Sequence, residues 1–237
     1  MILYYCWVII ILMGLFDRIF HRHQLSLKHA IALFSFIFVV WAIYRHFPGS
    51  LPVWAEELIL KPVFWLLPTF WVVTRIEHQP LSSLGLTKKN LFPALYWGIG
   101  LGIFFAFEGL VTNIFKYRGL DLINLNYTPQ VFLGLVALSF VTAFSEETVF
   151  RGYLFHRLWQ IWKNEWLANL ASALLFVAIH LPVGIFVLGY RPMAMLGYLF
   201  FILVYGFGSA FVFARTGNLV SSILLHVFWS WPIILFR

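Results

Sequence analysis

Residues 130–160, QVFLGLVALSFVTAFSEETVFRGYLFHRLWQ, decide the fold. Residues 130–144 carry no charged side chain and show no apolar–polar alternation. That favours a membrane helix over the two-faced strand of about ten residues used by membrane barrels. Yet Glu146, Glu147 and Arg151 follow within the same apolar run. A charge in hydrocarbon costs several kcal/mol, so such residues pair with one another, line a wet cavity or perform chemistry.

The rest of the chain has the same character. Its 237 residues are 62% hydrophobic and 11% charged, with a mean hydropathy of +0.89, well outside the balance of a soluble domain. Apolar stretches near 1–16, 27–45, 57–74, 91–112, 130–160, 166–181, 194–213 and 219–236 predict an all-α, polytopic transmembrane bundle of about eight segments. The connections carry the breakers: Pro48, Gly49 and Pro52; Pro80, Ser82 and Ser83; and Gly119 through Pro129. A single integral membrane domain over 1–237 is expected, with N-terminal helices in 1–128 and the charged core in 129–237. Residues 1–16 lack the basic start and cleavage site of a signal peptide and predict a retained first helix.

Net charge is +7, but the cations fall in short connections, as membrane orientation signals do; no nucleic-acid partner is expected. Ten of the 16 Lys and Arg fall on one side of the alternating map: Arg18, Arg22, Lys28, Arg75, Lys88, Lys89, Arg151, Arg157, Lys163 and Arg215. Arg45, Lys61, Lys116, Arg118, Arg191 and Arg237 fall on the other. The excess makes the first side cytoplasmic and both termini external. One cysteine, Cys6, excludes an internal disulfide framework. Gly98 and Gly102 have the small-xxx-small spacing of a close helix contact.

At roughly 100° per residue, Glu147 and Arg151 share a helix face as an acid-before-base pair, while Glu146 points about 140° away and is expected to be unpaired. A solvated helix end, with Arg157 and Lys163 soon following, is the alternative for this stretch. Glu56, Glu57 and Lys61 repeat the spacing after Pro52, where an interfacial structural role is expected. Downstream, His180 closes a short segment before Pro182, with Phe176 one turn earlier. His226 lies inside the last segment, with Ser230 one turn beyond it. Two histidines and an unpaired glutamate on three membrane helices are expected to converge.

Glu146-Glu147-x-x-x-Arg151, Phe176-x-x-x-His180 and the late His226 resemble, in order and spacing, the motifs of the CPBP family of intramembrane proteases, also called the Abi or CAAX-protease family. The resemblance covers residues 130–237. It departs at Ser230, where the family usually has asparagine. It implies a catalytic set of Glu146, His180, His226 and Ser230, supported by Glu147, Arg151 and Phe176. Glu146 would activate water, His180 would position that water, and His226 with Ser230 would hold the oxyanion. No cofactor is expected in this version. A competing version makes Glu146, His180 and His226 three ligands of a zinc ion with an open position for water; the absence of two histidines one turn apart favours the metal-free one.

The implied partner is a membrane-associated peptide or protein that can carry a lipid, and the implied setting a bacterial or archaeal cytoplasmic membrane. An ion- or proton-coupled transporter, with Glu108 on its path, is the main rival, although no internal symmetry is apparent. A non-catalytic scaffold of the same fold is the other.

Overall fold

The computed structural model describes residues 26–47, 51–117 and 128–235. The expected first helix over 1–16 with Cys6, and also Arg18, Arg22, Pro48, Gly49, Arg118 and Arg237, lie outside the described residues, as do the side chain of Lys116 and most of the connection from Gly119. Among the described residues all regular structure is helical. The elements are α1 (Ser26–His46), α2 (Val53–Ile76), α3 (Leu91–Tyr117), α4 (Pro129–Trp162), α5 (Glu165–Val187), α6 (Pro192–Thr216) and α7 (Leu219–Leu235). Six of them, α1 to α6, are long and apolar enough to cross a membrane, and α7 is shorter. The chain is an all-helical integral membrane protein, and seven of its expected segments correspond to these seven helices.

Local chemistry sets the helix ends. The Thr128 hydroxyl accepts from the Val131 amide at 3.4 Å and Pro129 occupies the first turn of α4. The Asn164 side chain caps α5 by accepting from Leu167 N at 3.0 Å. Between α4 and α5, Lys163 takes a left-handed conformation (φ 54°).

Departures from regular α geometry lie near the site, and in α2 the π-helical stretches Glu56–Leu60 and Pro62–Leu66 flank Lys61. Immediately after the glutamate doublet, Thr148–Phe155 is a π-helical stretch, a widening that in other proteins often marks functional positions. In α5 the expected break at Pro182 does not occur. The helix runs through the proline and finishes in a π-helical turn, Val183–Val187, where Leu188 N reaches back to Val183 O at 2.9 Å. Pro lacks an amide donor and crowds the carbonyl four residues before it, yet Pro182 is kept within the helix, and the π-helical turn follows it.

The last helix, which carries His226, is fixed at its start and along its length. Asn218 Nδ2 donates to the carbonyls of Thr87 and Lys89, both at 2.8 Å, and Asn90 Nδ2 donates to Thr216 O at 2.9 Å. The α2–α3 connection is thereby tied to the α6–α7 turn. Helix α3 then lies along α7. The close approach expected from Gly98 and Gly102 occurs there: a Cβ at Gly98 would sit 2.8 Å from Ser221 O, and one at Gly102 2.9 Å from Phe228 Cδ2.

The charge map needs correction at three places. Lys61, Arg151 and Arg157 are 4%, 0% and 3% exposed, so all three are interior residues held by acids rather than orientation signals. Among the described residues the exposed cations Lys28, Arg75, Lys88, Lys89, Lys163 and Arg215 still lie at one end of the alternating helices. The burial of Arg151 and Arg157 also removes the alternative of a solvated helix end.

The α3–α7 contact makes a discriminating prediction. Gly98→Ala should lower the stability in detergent by about 1–3 kcal/mol, because the new methyl meets backbone. Gly100→Ala, where a Cβ meets nothing within 4 Å, should stay within about 0.5 kcal/mol of wild type. Equal effects in thermal unfolding would contradict this packing.

Candidate active site

Glu147 has a fully buried side chain and is surrounded by donors. Its Oε1 accepts from Arg151 Nη1 at 3.1 Å, from the Tyr205 hydroxyl at 2.6 Å and from His226 Nδ1 at 2.8 Å; its Oε2 accepts from the Ser209 hydroxyl at 2.6 Å. These groups come from α4, α6 and α7, so one carboxylate binds three helices. The expected pairing with Arg151 is present. Tyr205 and Ser209, one helical turn apart on α6, were not foreseen. Their shared face was readable from spacing, but an apolar helix does not show what such a face meets.

Arg151 is braced from two further directions. Its Nη2 donates to Gly206 O at 3.2 Å, and its guanidinium lies over the Phe176 ring with Cζ 4.4 Å from the centroid. Phe176 in turn meets the His180 ring edge-on at 4.6 Å. Phe176 therefore contacts both Arg151 and His180.

Both imidazoles are oriented through Nδ1. His180 Nδ1 lies 2.7 Å from Phe176 O, and a carbonyl can only accept, so Nδ1 carries the proton and Nε2 presents a lone pair when the ring is neutral. His226 Nδ1 faces the Glu147 carboxylate and follows the same logic. Its Nε2 then looks toward Glu146, with Oε2 at 4.0 Å. That gap is too long for a direct hydrogen bond and suits a third group between the two atoms. Glu146 and His226 are thus brought together, and His180 lies within electrostatic range of both.

Glu146 is not unpaired, as was expected. Its Oε1 accepts from Lys61 Nζ at 2.6 Å, and Lys61 also bridges to Glu57 Oε2 at 2.8 Å. The interfacial reading of this triplet fails: Glu56, Glu57 and Lys61 are 6%, 7% and 4% exposed. Glu56 pairs with Arg45 and accepts from Tyr44, leaving Glu57 and Lys61 to face α4. The signal was present in the sequence, since Lys61 stands inside an apolar run about 12 Å from the start of α2 at 1.5 Å per residue. An ionisable residue at that depth is by default part of a site.

Ser230 is turned elsewhere. Its hydroxyl donates to Val227 O in its own helix at 3.0 Å, the back-bond a short side chain makes readily. Glu108 accepts from the Trp229 indole, and Trp229 stacks on Tyr205 with centroids 4.2 Å apart. Glu108 is thereby linked to the site through the Trp229 and Tyr205 rings. Among the described residues no cluster of three or more His, Cys, Asp and Glu side chains is arranged to hold a metal ion, and the Lys61 ammonium occupies one oxygen of Glu146.

A protein of Escherichia coli, described as an uncharacterized 24.3 kDa protein, is 26% identical over 208 residues, covering 87% of this chain and 77% of that one. An alignment of that length extends well beyond the charged core. No solved structure matches the chain. Residues 128–232 match the family described as Type II CAAX prenyl endopeptidase Rce1-like. The matched region contains the doublet, Arg151, Phe176, His180 and His226, and the match supports a likeness of this part of the chain to the CPBP family of CAAX-type membrane proteases.

Proposed function

We propose that the protein is an intramembrane endopeptidase that hydrolyses a peptide bond of a membrane-associated, lipidated protein or peptide through water activated by Glu146. The substrate class is a CAAX-type C-terminus or a related precursor. The observation that carries this reading is the facing pair of Glu146 Oε2 and His226 Nε2 across 4.0 Å, with the other oxygen of Glu146 and the other nitrogen of His226 already engaged.

A water between these atoms donates a proton to Glu146 as its oxygen attacks the scissile carbonyl carbon. His180 Nε2 accepts the water's other hydrogen and aims its lone pair. His226 acts as imidazolium, paired through Nδ1 to the Glu147 carboxylate, and its Nε2–H donates to the oxyanion. Ser230 adds a second donor once its hydroxyl turns from Val227 O. When the tetrahedral intermediate collapses, the proton held by Glu146 passes to the leaving amine. Water and peptide are consumed, and an acid and an amine are released.

The buried Lys61–Glu146 pair favours a metal-free reaction, because a cation already neutralises the carboxylate that a metal would need. The exposed cations at one end of the bundle support a cytoplasmic orientation for that end. The short connections and the Escherichia coli relative support a bacterial or archaeal cytoplasmic membrane.

The test is cleavage of a farnesylated peptide ending in a CAAX sequence, with the protein in lipid vesicles. Glu146→Gln should lower the rate by at least about 100-fold and leave the folded yield unchanged; a normal rate would overturn the assignment. Elemental analysis should find no stoichiometric zinc, and chelator treatment should leave the wild-type rate intact. Stoichiometric zinc with chelator-sensitive cleavage would refute the metal-free version.

A further inference from the structure

The region that matches the family begins at residue 128, yet one direct partner of Glu146 lies outside it. Lys61, on α2, places Nζ 2.6 Å from Glu146 Oε1 and 2.8 Å from Glu57 Oε2. Glu57 Oε2 also accepts from the Thr142 hydroxyl at 2.7 Å, and Thr142 stands one turn before Glu146 on α4. The four side chains therefore close a circuit between two helices: Thr142 to Glu57, Glu57 to Lys61, Lys61 to Glu146, and back along α4.

Lys61 has little freedom within this circuit. It is 4% exposed, and its ammonium lies 5.8 Å and 5.6 Å from the ring centroids of Trp41 and Trp65. Two donors are taken by carboxylates and the aromatic rings wall the remaining side. A glutamate side chain has three rotatable bonds, and its carboxylate can turn either oxygen toward a neighbour. Holding Oε1 on a fixed ammonium removes that choice, and Oε2 is left facing His226 Nε2.

We propose that Lys61, itself oriented by Glu57, is a positioning residue that fixes the rotation of the Glu146 carboxylate so that Oε2 is the atom that meets the reacting water. This rests on the hydrolase reading above. It adds that the N-terminal helices supply part of the acid–base machinery. Lys61 does not contact the reacting atoms; it acts through Glu146.

The experiment uses the full chain in lipid vesicles, the same farnesylated CAAX peptide as probe, and Glu146→Gln as reference. Lys61→Met should lower kcat by roughly 100-fold, the scale of a misplaced catalytic group, with KM within about twofold. Lys61→Arg, which keeps a charged donor, should recover most of the loss. Glu57→Gln should lower kcat by roughly tenfold, again at constant KM. A Lys61→Met enzyme with wild-type kcat beside an inactive Glu146→Gln overturns the positioning role and leaves the hydrolase reading standing. A wild-type enzyme inert toward the probe, or an active Glu146→Gln, overturns the reading and this inference together. Where Lys61→Met does not fold, Glu57→Gln decides: unchanged kcat overturns the proposal.

Discussion

A carboxylate buried in a membrane bundle must be surrounded by donors, and the way Glu147 meets that demand organises the protein. Its two oxygens take hydrogen bonds from Arg151, Tyr205, Ser209 and His226. Lipid gives no hydrophobic drive for one apolar helix to associate with another, so packing and interhelical polar contacts carry the specificity. Here one acid fixes α4, α6 and α7 relative to each other. Removing any donor leaves part of a buried charge unanswered, which is costly.

Because Glu147 absorbs that structural demand, Glu146 is left free for the chemistry proposed for it. The residues are adjacent, but helical rotation sends them to different neighbours. Glu147 looks inward to α6, while Glu146 looks to Lys61 on α2 and, at 4.0 Å, to His226 on α7. His226 is the link, since one nitrogen meets each glutamate. Its Nδ1 contact sets the direction of the ring and its Nε2 faces the gap. The structural carboxylate and the one proposed to act on water are thus coupled through one imidazole.

Much of this was readable from residue order. Continuous apolar runs gave the membrane helices, because their periods need no partner to be recognised. The i,i+4 spacing gave the Glu147–Arg151 pair, and Phe176 and His180 were correctly set on one face. What failed was what depends on a partner far along the chain. Lys61 was assigned to an interface because its own helix start explained it locally, whereas its ligand is Glu146, 85 residues away. Tyr205 and Ser209 could be placed on a face but not against Glu147. The passage of α5 through Pro182, and the π-helical turn that follows it, are announced by no residue type. The hydroxyl of Ser230 satisfies itself within its own turn, which its position one turn after His226 permits but does not dictate.

The central claim is that Glu147 is the shared acceptor that locks these helices together. It is tested most directly by a double-mutant cycle in thermal unfolding with Tyr205→Phe and Glu147→Gln, both nearly isosteric and both independent of any substrate. The account predicts a coupling energy of about 1.5–3 kcal/mol, the range for a hydrogen bond to a charged group. Additivity within about 0.5 kcal/mol would contradict it.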